Sequence, residues 1–137
     1  MTHPNFQLRP IGIVRSALKD VRDCPRQEGE NAPGAWIEIQ PEYAEALEGL
    51  QAGHDILVMT WLHLADRSIL KVHPRGDPNN PVRGVFSTRS PHRPNPIGLH
   101  RTRVLAVAPP CRLQVQRLEV IDKTPVVDIK SVLSGDR

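Results

Sequence analysis

The chain has 137 residues, the length of one domain, and we place a single domain over residues 1–137. Hydrophobic residues make up 39% and charged residues 24%, a balance that excludes a disordered chain. No apolar run nears the roughly 20 residues that cross a bilayer, so we expect no membrane segment. The 14 prolines exclude a bundle of long helices, while the net charge of +3 permits a polyanionic partner without requiring one.

Short runs of β-branched residues between turn signals predict strands. In chain order these lie at Pro10–Ser16, Ala35–Ile39, Asp55–Leu62, Arg83–Ser87, Arg101–Ala108, Arg112–Ile121 and Val126–Ile129. One helix is predicted over residues 41–50, because Pro41 precedes apolar residues at helical spacing from Tyr43 onward. Strands dominate and the Gly-x-Gly-x-x-Gly signature is absent, so we predict a mainly β fold, a small β-barrel with one covering helix.

The predicted strand Arg112–Ile121 changes character halfway along. Leu113 and Val115 lie on one face of the strand, whereas Leu118 and Val120 lie on the other. We expect this strand to pass from one packing environment to another, as bent barrel strands do.

Cellular location and metal content follow from a few residue types. The first residues lack the apolar core of a signal peptide, so we expect a cytoplasmic protein. Cys24 and Cys111 form no Cys-x-x-Cys pair and are expected to be free thiols. The histidines lack zinc-ligand spacing, and we expect no metal site. His63, after the central apolar strand, stays open to two interpretations: a metal ligand or a hydrogen-bonded histidine at a strand end.

The most unusual segment is the loop from Gly84 to Leu99. Three prolines within six residues hold its backbone extended, and in that stiff frame Arg89 and Arg93 present guanidinium groups while Asn95 offers an amide. Pre-setting a loop lowers the entropic cost of binding, so the composition indicates a ligand cradle. The alternative is a proline-rich connection whose arginines are solvated.

A second polar segment, Asp122–Lys130, begins with a turn. Asp122 either binds a ligand or only bonds the backbone of its own turn. A third segment, Pro25-Arg26-Gln27, indicates by itself no more than an exposed turn that carries one charge.

Together these blocks resemble one family in their order and spacing. The blocks are IGIVRS from Ile11, Pro25-Arg26-Gln27, GVFSTRSPHRPNPIGL from Gly84 and DKTPVVDIK from Asp122, and they resemble the TrmO family, also called YaeB-like or TsaA-like. The resemblance implies an S-adenosyl-L-methionine-dependent methyltransferase built on a small β-barrel that forms a homodimer. It implies methylation of tRNA at the N6 nitrogen of threonylcarbamoyladenosine, beside the anticodon.

The resemblance also implies roles for individual residues. The cofactor-binding positions that it carries over are Pro25, Arg26, Gln27, His63, Leu64, Arg89, Leu99, Asp122, Lys123 and Thr124. Arg26 and Arg89 are candidates for the cofactor's carboxylate or for anionic groups of the substrate. Asp122 is a candidate for its adenosine or amino group and the sole candidate for a catalytic role. Arg93 and Asn95 are expected to bind the substrate.

Three departures from the family pattern keep other functions open. Lys123 stands where the family has a glycine that can adopt a positive φ. Ser131-Val132 replaces a Pro-Tyr pair, and we expect a short form without the additional C-terminal domain of longer members. The alternatives are a methyltransferase of the same fold with another substrate, or a non-catalytic barrel that binds RNA or a nucleotide.

Overall fold

A computed structural model describes residues 5–20, residue 22 and residues 33–135. The strands are β1 Gly12–Ser16, β2 Ala35–Ile39, β3 Asp55–Trp61, β4 Lys71–Val72, β5 Arg83–Gly84, β6 Ile97–Ala108, β7 Arg112–Val115 and β8 Pro125–Ser131. Short 3-10 helices lie at Pro41–Leu47, Pro74–Gly76 and Val85–Ser87. The predicted mainly β class is confirmed. Among the described residues, no helix is long and apolar enough to span a membrane.

Six antiparallel strands pair in one closed ring, in the order β1-β2-β7-β6-β3-β8, and β8 pairs back to β1. Alternate residues of each strand point into the ring, as the pleat requires. In β3 these are Ile56, Val58 and Thr60, which are fully buried, whereas the residues between them are half-buried. Strands β4 and β5 form a separate two-stranded sheet.

The predicted helix over residues 41–50 is present as a seven-residue 3-10 helix, Pro41–Leu47. Leu47 is its buried residue and packs against the core inside the ring. Gly49, with φ +91°, lies just beyond its end, where a left-handed backbone favours glycine.

The predicted strand Arg112–Ile121 is wrong in length, because β7 ends at Val115. Leu113 and Val115 are buried in the strand, and Leu118 is buried beyond it, where the Leu118 amide donates to the Pro33 carbonyl at 3.1 Å. The switch from odd to even apolar positions therefore marks the end of pairing, not a bend in a continuous strand.

Two further strand boundaries differ from the prediction. Strand β6 begins at Ile97 instead of Arg101, because Ile97–Leu99 pairs with the second half of β3. The predicted strand Arg83–Ser87 is a strand only at Arg83–Gly84 and continues as a 3-10 turn. The carboxyl-terminal part of the proline-rich loop is thus built into the ring.

Antiparallel pairing determines which loops meet. Strand β3 pairs with β6 on one side and with β8 on the other, so the end of β3 lies beside the beginnings of both neighbours. The loop after β3, the loop before β6 and the turn before β8 therefore emerge at one end of the ring.

Candidate functional site

Most of the predicted site residues belong to the three loops at this end of the ring, which we call the loop end. His63 and Leu64 follow β3, Arg89 and Arg93 precede β6, and Asp122–Thr124 precedes β8. The predicted segment Pro25-Arg26-Gln27 lies outside the described residues. The topology thus gathers segments that are far apart in sequence.

The proline-rich loop is braced from within by Arg93. Its guanidinium Nη1 donates to the Ser90 carbonyl at 2.9 Å and to the Thr88 carbonyl at 3.3 Å. The Ser90 hydroxyl accepts the amide of His92 at 3.2 Å. Arg93 is half-buried by these contacts, so part of its hydrogen-bonding capacity holds the loop that carries it.

Arg67, in the loop after β3, clamps the same proline-rich loop from outside. Its Nε donates to the Pro94 carbonyl at 2.6 Å, and its Nη2 donates to Asn95 Oδ1 at 3.1 Å. Its guanidinium carbon lies 5.2 Å from the ring centre of Trp61, within range of a cation–π contact. Sequence analysis missed this residue, because no local motif links it to a partner 28 positions away.

The side chain of Arg89 reaches from the proline-rich loop to the backbone near the beginning of β6. Its Nη2 donates to the Leu99 carbonyl at 3.1 Å, and the residue is exposed. The side chains of Ile97 and Leu99 are 43% and 42% exposed on the outer face of β6. The structure therefore places a solvent-accessible guanidinium beside an apolar surface, as a ligand with both a charged and an apolar part requires.

The turn before β8 is tied to β1 through Asp122. One carboxylate oxygen accepts the amide of Ser16 at 3.0 Å, and the other lies 3.0 Å from Lys19 Nζ. The Ser16 hydrogen bond is the main cause that lowers the pKa of Asp122, and the bond to Lys19 is the second. Since a carboxylate with a lowered pKa is a weak proton acceptor at neutral pH, this environment favours an anchoring and binding role over that of a general base.

Lys123 adopts the left-handed backbone that the family glycine would supply, with φ +71°. Its amide donates to the Val14 carbonyl at 2.7 Å, and the Thr124 hydroxyl donates to the Ile121 carbonyl at 2.8 Å. The turn therefore keeps its shape although a side chain occupies a position that favours glycine.

A buried polar group that sequence analysis did not select lies in the ring below this end. His100 Nε2 is 2.7 Å from Thr60 Oγ1, and His100 Nδ1 is 2.5 Å from Glu119 Oε1. Gly98 pairs with Thr60, and a Cβ at Gly98 would lie 2.6 Å from His100 Nε2. The group joins β3, β6 and the segment that leads to Asp122.

His63 and Leu64 are exposed beyond the end of β3. Within residues 5–20, 22 and 33–135, no group of three or more His, Cys, Asp or Glu side chains is arranged to hold a metal ion. Over the same residues, Cys111 is a buried free thiol, whereas Cys24 lies outside them.

Comparison with known proteins gives a consistent set of relatives. The family described as tRNA-methyltransferase O N-terminal domain matches residues 13–135. A probable S-adenosyl-L-methionine-binding protein of Methanothermobacter thermautotrophicus is 43% identical over 130 residues, which cover 95% of this chain and 92% of the relative. An S-adenosyl-L-methionine-binding protein of Archaeoglobus fulgidus is 43% identical and is matched over 90% of this chain and 86% of its own.

Solved structures share the fold. The crystal structure of TrmO from Pseudomonas aeruginosa is 31% identical, superposes with a TM-score of 0.72 and matches 97% of this chain. The matched part is 57% of that protein, so this chain spans little more than half of the length of the solved TrmO chain.

Proposed function

Because the chain belongs to the family of tRNA-methyltransferase O N-terminal domains, we propose that it is a methyltransferase that uses S-adenosyl-L-methionine as methyl donor and tRNA as acceptor. The observation that carries the proposal is 43% identity to a probable S-adenosyl-L-methionine-binding protein along 92% of that protein's length. We further propose the acceptor atom that the family resemblance implies, the N6 nitrogen of threonylcarbamoyladenosine beside the anticodon.

The residues of the loop end fit this donor. Arg89 offers an exposed cation for the donor's carboxylate, and the outer side chains of Ile97 and Leu99 offer an apolar surface for its adenine. Asp122 holds a negative charge that suits an amino group or ribose hydroxyls. When bound, the donor supplies a methyl group on a positively charged sulfur.

The chain's own contribution is mainly positional. Holding two reacting groups in attack geometry accounts for much of the rate gain in such transfers, and it requires loops that do not rearrange. Arg93 braces the proline-rich loop from within and Arg67 clamps it to the segment after β3. Asp122 fastens the neighbouring turn to β1. Two of the three loops are thus joined to each other and the third is joined to β1 before a ligand arrives.

We extend the proposal to the architecture, the location and the assembly of the protein. We assign the closed ring the role of the family's small β-barrel and place the protein in the cytoplasm. We also propose a homodimer that covers the exposed apolar side chain of Phe86 and leaves those of Ile97 and Leu99 open to the donor. Light scattering at micromolar concentration tests the dimer, and a monomer with full donor affinity contradicts it.

A second candidate is a methyltransferase of the same fold with a different acceptor. It is favoured by Ser131-Val132, which stands where the family resemblance has Pro-Tyr. Ser131 pairs with Ile56 and the Val132 amide donates to the Asp55 carbonyl, so these residues extend β8 along the ring. A third candidate is a barrel that binds RNA or a nucleotide without catalysis.

Two measurements separate these functions. Calorimetric titration with S-adenosyl-L-methionine is expected to show binding, and its absence leaves only the non-catalytic candidate. The protein is then incubated with labelled donor and tRNA that carries unmethylated threonylcarbamoyladenosine, and the digested nucleosides are analysed by mass spectrometry. A gain of one methyl group on this nucleoside supports the tRNA proposal, whereas donor binding without it favours another acceptor.

A further inference from the structure

A second polar cleft lies on the outer wall of the ring, where β3 begins and the middle of β6 passes. It has a volume of about 410 Å³. Its lining residues are Asp55, Arg101, Thr102, Arg103, Gln116 and Arg117. None of them belongs to the three loops of the loop end.

Positive charge is in excess in this cleft, which we call the arginine cleft. Arg103 Nε lies 3.0 Å from Asp55 Oδ1, and Arg101 Nη2 lies 3.9 Å from Asp55 Oδ2. One carboxylate among the lining residues therefore serves two guanidinium groups, while a third guanidinium stands beside them. The hydrogen bond from Arg103 is the main cause that lowers the pKa of Asp55, and the charges of all three arginines add to it.

The strongest evidence for a ligand in this cleft is the side chain of Arg117. Its backbone amide donates to Thr102 Oγ1 at 3.1 Å, which fixes its place just after β7. Its side chain makes a long bond of 3.3 Å to Gln116 Oε1, and within the described residues its buried Nε has no acceptor. A buried donor without a partner is costly, and Asp55, the carboxylate among the cleft's lining residues, already pairs with Arg103 and Arg101.

We propose that the arginine cleft binds a phosphate group and that the phosphate belongs to the backbone of the RNA substrate, which rests on the proposed function. A planar guanidinium suits a phosphate because it donates two parallel hydrogen bonds, and three guanidinium groups line this cleft beside one carboxylate.

The distance along the ring favours a long polyanion over the methyl donor. The cleft lies at the beginning of β3 and the loop end lies at its other end, about 20 Å away for a seven-residue strand. One small molecule does not reach both places, whereas an RNA strand does. A phosphate contact of this kind fixes the position of the RNA without reading its sequence.

Charge substitutions with opposite expected signs test the proposal. Arg117→Gln removes a cleft cation and is expected to weaken tRNA binding by about tenfold or more, and to lower the slope of log affinity against log salt by about 0.7–0.9. Asp55→Asn removes the competing carboxylate and is expected to strengthen binding. Arg83→Gln, an exposed change of equal charge on β5, is the matched control and leaves the slope unchanged.

The measurements are tRNA titrations at several salt concentrations, and a titration with inorganic phosphate at fixed ionic strength. Loss of phosphate binding in Arg117→Gln with unchanged tRNA binding identifies a free anion, not RNA, as the source and overturns the RNA assignment. Equal effects of Arg117→Gln and Arg83→Gln, or no effect of either, overturn the site itself. Donor calorimetry on the same variants is expected to match the wild type, so a failure of the proposed methyltransferase function is recognised separately.

Discussion

His100 and Glu119 form a buried pair, with 2.5 Å between His100 Nδ1 and Glu119 Oε1, although Glu119 belongs to no strand. Their side chains are only 6% and 10% exposed. The other ring nitrogen of His100 is 2.7 Å from Thr60 Oγ1. The pair therefore ties the segment after β7, which leads to Asp122, to β6 and, through Thr60, to β3.

Removal of His100 and removal of Glu119 are expected to lower the unfolding free energy by different amounts. His100→Ala leaves the Glu119 carboxylate buried without its partner, so it is expected to destabilise the fold by about 3–5 kcal/mol. Glu119→Ala leaves a histidine that keeps the Thr60 contact, and the expected loss is about 1–3 kcal/mol. Urea unfolding of both variants measures the difference. Equal losses contradict a carboxylate that depends on His100.

Gly98 is expected to tolerate no side chain. A Cβ there would overlap the Thr60 hydroxyl and lie 2.6 Å from His100 Nε2, and both groups are held by their own hydrogen bond. Gly98→Ala is therefore expected to cost about 1–3 kcal/mol of unfolding free energy. The control is Gly84→Ala, because no described atom beyond the two chain neighbours lies within 4 Å of a Cβ at Gly84. A similar loss in both variants would show that packing around Gly98 is not the cause.

The folded protein is expected to be less stable with Lys123 than with the glycine of the family pattern at this position. Its φ of +71° costs an ordinary side chain free energy that glycine avoids, so Lys123→Gly is expected to raise the unfolding free energy by about 1 kcal/mol. Lys130→Gly, in the extended backbone of β8, is expected to lower it by about 0.5–1 kcal/mol. Thermal melting checks both, and shifts of the same sign refute the backbone argument.

The position of a strand was predictable where one of its faces is buried along its whole length. The alternation in β1, β2 and β3 marks one buried face each, and their predicted positions are close to the observed ones. Strand β7 was predicted too long, because apolar alternation continues past Val115 after the side of burial has changed. The sequence shows that the buried positions shift from one face to the other. Whether the strand bends or ends at that point depends on the pairing with its partner strand.

Within the candidate site, the backbone shape of one turn was predictable from the family motif, while the binding roles of its residues stay predictions. The glycine position of the Asp122–Thr124 turn was recognised, and the structure gives it a positive φ. Arg67 and the pair His100–Glu119 were missed, because their partners lie 19 to 28 residues away and no local spacing encodes such contacts.

Acid is expected to remove the stabilisation that Asp122 provides. Its pKa lies below the ordinary 3.8, chiefly because the Ser16 amide donates to it and secondly because of Lys19. A carboxyl group with a lower pKa in the folded chain stabilises the fold above its unfolded pKa, and that contribution is lost as the pH falls through the folded pKa. The stability gap between wild type and Asp122→Asn is therefore largest near neutral pH and closes in acid.

Urea unfolding from neutral pH down to acid below the folded pKa of Asp122 checks the prediction. Lys19→Met is the graded control, because it removes the secondary cause and keeps the Ser16 hydrogen bond. Its gap to the wild type is expected to be smaller and to close over the same range. A pH-independent gap for Asp122→Asn contradicts the assignment.

Arg89 and Arg93 are expected to separate ligand binding from loop stability. Arg89 is exposed, and its hydrogen bond to the Leu99 carbonyl is replaceable by water, so Arg89→Ala is expected to leave the melting temperature almost unchanged. If its guanidinium holds the carboxylate of S-adenosyl-L-methionine, the lost charged hydrogen bond lowers donor affinity about 10- to 150-fold. Calorimetry and thermal melting on the same samples measure both quantities.

Arg93→Ala is the comparison four residues on. Its guanidinium braces the Thr88 and Ser90 carbonyls and is half-buried, so its removal is expected to lower the melting temperature more than Arg89→Ala does. Its predicted contact with a substrate phosphate adds a loss of RNA affinity that weakens as salt rises, because the contact is ionic. Donor affinity is expected to fall less than in Arg89→Ala, since Arg93 acts on the donor only through the loop. Should Arg89→Ala bind the donor normally and melt well below Arg93→Ala, the two roles are reversed: Arg89 then stabilises the loop, and the donor's carboxylate is bound elsewhere.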